Sequence, residues 1–317
     1  MDLLSRGRKR MLMIKKILVS VVLLTFFALP GYAKASSISV VWFPVVSGSI
    51  PHAIVPDTST GGVWFGMDLL SAIGHMDAQG NVQYYRVDRP VASLGRDKSG
   101  NIWFSFFEHG MGFIDSHSKA ITTYKVNGYN LTYTLGAMWF LTGAHGYGSI
   151  TSKGEVRYYK LPQDFNVNYM AAGPDGNLWI TDIKHSTIGK VLPGSGLVTA
   201  YALPANEQAW TITSGPDGAL WFVTNPQGIG RITTTGKITL FQHYTYATGD
   251  GDIKSGPNNT LWFVFEDGGG SIAYMTTSGK ITVGNSFTGR WGEGNYARVG
   301  NVMWFTDEEG DRVGHTV

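Results

Sequence analysis

His52 and the acidic residues Glu293, Asp307 and Glu308 are the side chains of this chain whose types suit chemistry. An imidazole titrates near neutral pH, so beside a carboxylate it can serve as a general base. Grouped carboxylates can hold a divalent cation that draws charge from a reacting carbonyl. Asp68, Asp252 and Asn295 add polar groups, and Trp210, Trp291 and Phe106-Phe107 offer flat apolar surfaces on which a ligand can stack. The alternative at each position is structural: a solvated histidine, solvated turn acids, or aromatics packed between elements. Other signatures are missing from the sequence. There is no Cys/His metal spacing, phosphate loop, dinucleotide fingerprint or Gly-x-Ser-x-Gly elbow. The Asp-Gly pairs at 175–176 and 217–218 resemble the start of a calcium loop but lack its further ligands.

The elements that must position these residues follow from a repeat. An aliphatic residue or Met, then Trp, then Phe or Ile recurs around Trp64, Trp103, Trp139, Trp179, Trp221, Trp262 and Trp304, at intervals of 39, 36, 40, 42, 41 and 42 residues. Seven copies of a unit near 40 residues indicate one supersecondary motif stacked on itself. Residues 209–242 show its content. Four runs rich in β-branched and aromatic residues are separated by turn signals such as Gly215-Pro216-Asp217-Gly218 and Thr235-Gly236. Four antiparallel strands repeated radially make a propeller blade. The expected fold is all-β, a seven-bladed β-propeller of four-stranded antiparallel blades.

The ring also has an expected closure. The seventh copy ends after a third strand at 312–315, and an unassigned strand at 39–44 precedes the first blade. That N-terminal strand is expected to complete the last blade. First strands line the channel of a propeller, and antiparallel pairing puts their starts on the same face as the ends of the second strands. His52, Trp210, Asp252, Glu293 and Asn295 fall at such starts, and Glu308 at such an end. Closure therefore brings His52 of blade one beside the acids of blade seven.

Residues 1–35 stand apart as a secretory signal: a basic stretch, an apolar run from Ile17 to Leu29, then Pro30-Gly31 and Ala33-Lys34-Ala35. The propeller is expected over 36–317. The leader holds 7 of the 25 basic and 1 of the 23 acidic residues, leaving 18 against 22, or −4. The balance gives no support to nucleic-acid binding. The absence of cysteine excludes disulfides and an N-terminal lipid anchor. A periplasmic or secreted monomer with no membrane attachment after cleavage is expected, taking a small molecule, peptide or glycan at its channel mouth.

Three stretches resemble the repeating blade of the streptogramin B lyases: residues 173–182 (Gly-Pro-Asp-Gly-Asn-Leu-Trp-Ile-Thr-Asp), 215–222 and 229–239. The resemblance extends over all seven blades and is strongest in blades four to six. It implies opening of a cyclic depsipeptide at its ester bond by elimination, with a histidine base and a bound magnesium ion. Glu293 and Glu308 match the family's magnesium-binding glutamates. The histidines do not carry over: their places hold Asp250-Gly251-Asp252 and Asn295. The one intact Pro-His-Ala-Ile is 51–54, in blade one. A rotated site of His52, Glu293 and Glu308 is one expectation, with Trp210, Asp252 and Asn295 contacting substrate. A non-catalytic member that binds a ligand or protein is another, and a gluconolactonase-type lactone hydrolase a third.

Overall fold

The computed structural model describes residues 33–34, 38–143, 145–162, 165–204, 207–225, 228–241, 252–265, 271–286, 295–308 and 310–317. Ala33–Lys34 apart, the expected leader lies outside the described residues, as do Glu293 and Trp291. The strands form seven sheets, one per tryptophan repeat. In blade one the strands run Pro51–Asp57, Gly62–Met67, Ala72–Met76 and Val82–Arg86, from the channel outward. In blade seven the order is Tyr296–Val299, Val302–Asp307, Arg312–Thr316 and then Val40–Pro44. The N-terminal strand pairs antiparallel with the third, Val40 opposite Thr316 and Pro44 opposite Arg312, and closes the ring as expected. Blade six carries a fifth, two-residue strand: Ala33–Lys34 pairs parallel with Thr282 and Val283 on its outer edge, inside the stretch read as leader. No helix among the described residues is long and apolar enough to cross a membrane.

Pleating explains the repeated motif. Neighbouring residues on a strand face opposite sides of the sheet. Each Trp faces the next blade and the residue after it faces the previous one. Trp103 packs with Met138 and Phe140 of blade three, whereas Phe104 packs with Trp64 and Ile73 of blade one. Seven apolar clusters result, one at each junction between neighbouring blades, including the junction of blade seven with blade one. The seven tryptophans are no more than 6% exposed. Truncating one to alanine would cost about 3–5 kcal/mol.

Two further devices keep these rings in place. In blades one to five the residue after the Trp lies across the third strand, where Gly74, Gly112, Gly148, Gly189 and Gly230 stand opposite it; in blade seven Trp42 of the fourth strand lies over Gly314, and blade six has Ala273 at this place. A Cβ on Gly230 would lie 2.1 Å from the Phe222 ring. The turn aspartates bind indole: Trp179 Nε1 donates to Asp175 at 3.1 Å, Trp221 Nε1 to Asp217 at 2.9 Å and Trp103 Nε1 to Asp97 at 2.9 Å. The Asp-Gly turns are thus anchors for the core tryptophans.

Candidate functional site

A cavity of about 1210 Å³ occupies the channel, walled mainly by the first strands of the blades. His52, Asn168, Lys254 and Asn295 line it, with Phe107 at its rim. The first strands do not run straight into this mouth. Pro51 pairs with Met67 and Ile54 with Phe65, so His52 and Ala53 together stand opposite Gly66. Blade five repeats the bulge, with Trp210 and Thr211 between the Ala209 and Ile212 pairs. Asn130 and Asn168 fall in similar irregularities in blades three and four. A bulge bends the strand and re-aims the side chain it carries.

His52 Nδ1 lies 2.7 Å from Glu308 Oε1, both side chains being less than one-fifth exposed. A carboxylate only accepts, so in the neutral imidazole this contact favours the proton on Nδ1 and leaves Nε2 as the basic nitrogen. The hairpin that carries Glu308 also sets the approach to His52. Asp311 accepts from Gly48 N at 2.6 Å and Ile50 N at 3.1 Å, fixing the loop before Pro51. Thr306 Oγ1 donates to the His52 carbonyl at 2.9 Å and accepts from Asn295 N at 3.1 Å. His52, Asn295 and Glu308 are therefore joined through blade seven's second strand and its hairpin.

The acid pair at 307–308 divides. Glu308 faces His52, whereas Asp307 is buried, bonds Gly310 N at 3.0 Å and pairs with Arg312 at 2.6 Å. Arg312 in turn lies over the Trp42 ring, 4.5 Å from its centroid, so Asp307 tightens the closure. The Phe106-Phe107 pair divides too: Phe106 packs on Phe104, and Phe107 is 56% exposed at the rim. Trp210 is not among the residues lining the cavity; its carbonyl accepts from Asn168 Nδ2 at 3.1 Å and Thr181 Oγ1 at 2.9 Å. Asp252 pairs with Lys254, Nζ to Oδ2 2.7 Å. Lys254 and its neighbour Tyr169 were not singled out in the sequence. A lysine two residues past Asp252, on a channel-lining strand, was the available signal.

The other acid–histidine pairs have structural work. His75 stacks on Trp64 at 4.2 Å and bonds Asp57 at 2.8 Å, and burial holds its pKa below the ordinary value despite Asp57. His185 bonds Asp182 at 2.7 Å, on a carboxylate that also caps the Asn166 and His185 backbone.

For magnesium, the test is the donor set. Magnesium takes hard oxygen ligands in octahedral geometry. Among the described residues no group of three His, Cys, Asp or Glu side chains converges, and Glu308 is already engaged by His52. The other expected ligand, Glu293, lies outside the described residues. The described residues do not by themselves fit the ion.

The virginiamycin B lyase family matches residues 91–317. A solved streptogramin B lyase is 26% identical, over 87% of this chain and 96% of that one, with a TM-score of 0.74. Virginiamycin B lyase from Staphylococcus aureus is 27% identical, over 88% and 99%, with a TM-score of 0.75. A catalytically inactive His-to-Ala variant of that lyase, solved with quinupristin, gives the same figures. No curated protein matches. With the matched residues spanning most of the chain, from blade two to the third strand of blade seven, the chain belongs to the virginiamycin B lyase family.

Proposed function

We propose that the closed end of the ring is an elimination site, in which His52 is the base and Glu308 its positioning residue. The observation that carries this reading is the 2.7 Å contact between His52 Nδ1 and Glu308 Oε1 at the edge of the large cavity. Nε2 takes the proton α to a carbonyl. That electron pair forms a double bond to the β-carbon, and the bond from the β-carbon to the ester oxygen breaks. The products are an alkene and a carboxylate; no water is consumed. Glu308 stabilises the imidazolium while it holds the proton. Phe107 offers an apolar face to the substrate at the rim. No step is routed through magnesium. The reading includes export by the segment before residue 36.

Quinupristin, the ligand of the S. aureus variant, is the probe. Incubation with this protein is expected to open its ring without change of mass, since elimination adds nothing. A gain of one water would indicate hydrolysis, and an unaltered ring would end the proposal.

A second reading rests on residues in the two stretches that replace the family's histidine motifs. Asp252 is tied to Lys254, and Asn295 to Thr306 through its backbone. A non-catalytic binding propeller is the function this favours. Saturable quinupristin binding without ring opening would support it over the first.

A further inference from the structure

Lys254 is a charge that the pair at His52 does not explain. It stands on blade six's first strand, Ile253–Ser255, two residues beyond Asp252, which lies just before that strand. Its ammonium lies 2.7 Å from Asp252 Oδ2 and 3.4 Å from the Tyr169 hydroxyl of blade four. It also sits 5.8 Å from the centroid of the Tyr169 ring. The contact passes over the intervening blade five, where Thr213 lines the same space.

The cluster keeps its protons. Burial alone would lower Lys254, but Asp252 and Tyr169 outweigh it and raise its pKa above the ordinary lysine value. Burial, then the charge of Asp252, raises Tyr169. An ammonium has three N–H donors. Among the described residues Asp252 and Tyr169 take two. Lys254 and Tyr169 line both the 1210 Å³ cavity and a separate 180 Å³ pocket beside it. The remaining donor is therefore available to whatever occupies this space. Asp252 cancels the formal charge of Lys254, so the occupant need not be an anion. It needs an accepting oxygen.

We infer that Lys254, held in place by Asp252 and Tyr169, is a hydrogen-bond donor site for one carbonyl or carboxylate oxygen of a molecule in the channel. This subsite stands whether or not His52 performs chemistry. It would orient a ligand from the blade-six side of the channel, and a preorganised polar group of this kind fixes direction in a cavity whose walls supply mainly contact area.

The test uses the full chain labelled with ¹⁵N at the lysine side chains. Acetamide and acetate are titrated separately at constant ionic strength, and the Lys254 ammonium signal is assigned by its loss in Lys254→Arg. A saturable shift of that signal is expected, weakened in Tyr169→Phe. A response to acetamide identifies a neutral carbonyl as sufficient, and a response to acetate alone identifies a carboxylate. A Lys254 signal unmoved by both additives would overturn the inference. So would one that exchanges with water as fast as exposed lysines. The titration of the unmodified protein decides the matter even where a variant fails to fold.

Discussion

His52 and Glu308 are separated by 256 residues in the chain and by 2.7 Å in space, and only the closure of the ring joins them. The strand Val40–Pro44 fills the vacant outer place of blade seven, and the hairpin between that blade's second and third strands then meets the start of blade one. The seam of the ring is thus where the His52–Glu308 pair lies. Stability of the seam and integrity of the site should rise and fall together.

Asp311 tests that linkage without touching the pair itself. Asp311→Ala removes the acceptor for the exposed Gly48 N and the half-buried Ile50 N, at a cost of about 1 kcal/mol that falls mainly on Ile50. A fall in Tm of several degrees is expected, together with slower quinupristin turnover. A Tm loss with turnover intact would show that the loop before Pro51 does not position His52.

Gly230 tests the packing behind the repeated motif. Its α-carbon faces the Phe222 ring, and Gly230→Val would force a branched side chain where a Cβ already falls at 2.1 Å. The ring has neighbours on its other side in blade four, so it has little room to yield. A loss of about 3 kcal/mol or more is expected in chemical denaturation. Unchanged stability would contradict the account of the third-strand glycines.

Acid stability follows from the turn aspartates. Burial alone would raise Asp175, but Lys190, Trp179 and Asn177 outweigh it and hold its pKa at about 2, against 3.8 for a free side chain. Asp217 and Asp57 are lowered in the same direction, by partners that overcome burial. A depressed carboxylate stabilises the fold at every pH above its unfolded value. That contribution is lost as pH falls from near 3.8 toward 2. So far as these carboxylates set it, urea unfolding should be flat in pH above this window and weaken within it, and Asp175→Asn should remove part of the slope, on the order of 1 kcal/mol once solvent screening at this exposed turn is allowed for. A slope identical in the variant would show that Asp175 is not held as described.

The architecture was legible because a propeller repeats its strand pairing, and repeated pairing leaves a period in the sequence. The tryptophan spacing gave the number of blades, and the missing last strand gave the closure. It also placed His52 with Glu308. The first-strand bulges left no such trace, since one extra residue in a strand changes neither composition nor period. Nor did the division of labour between Asp307 and Glu308, because adjacent residues on a strand end face opposite ways and sequence does not say which faces the channel. The Lys254–Tyr169 contact spans 85 residues and two blade junctions, beyond any local pattern. The third-strand glycines were visible as letters, but their reason lies in a large side chain on the neighbouring strand.

The most direct measurement is a double-mutant cycle on quinupristin ring opening, comparing kcat/KM for the unmodified protein, His52→Ala, Glu308→Ala and the double variant. Residues that act as one unit lose activity non-additively. The account predicts a loss of about 10²–10⁴-fold for His52→Ala, with the double variant no worse. Losses that multiply, or a His52→Ala protein as active as the unmodified one, would contradict it.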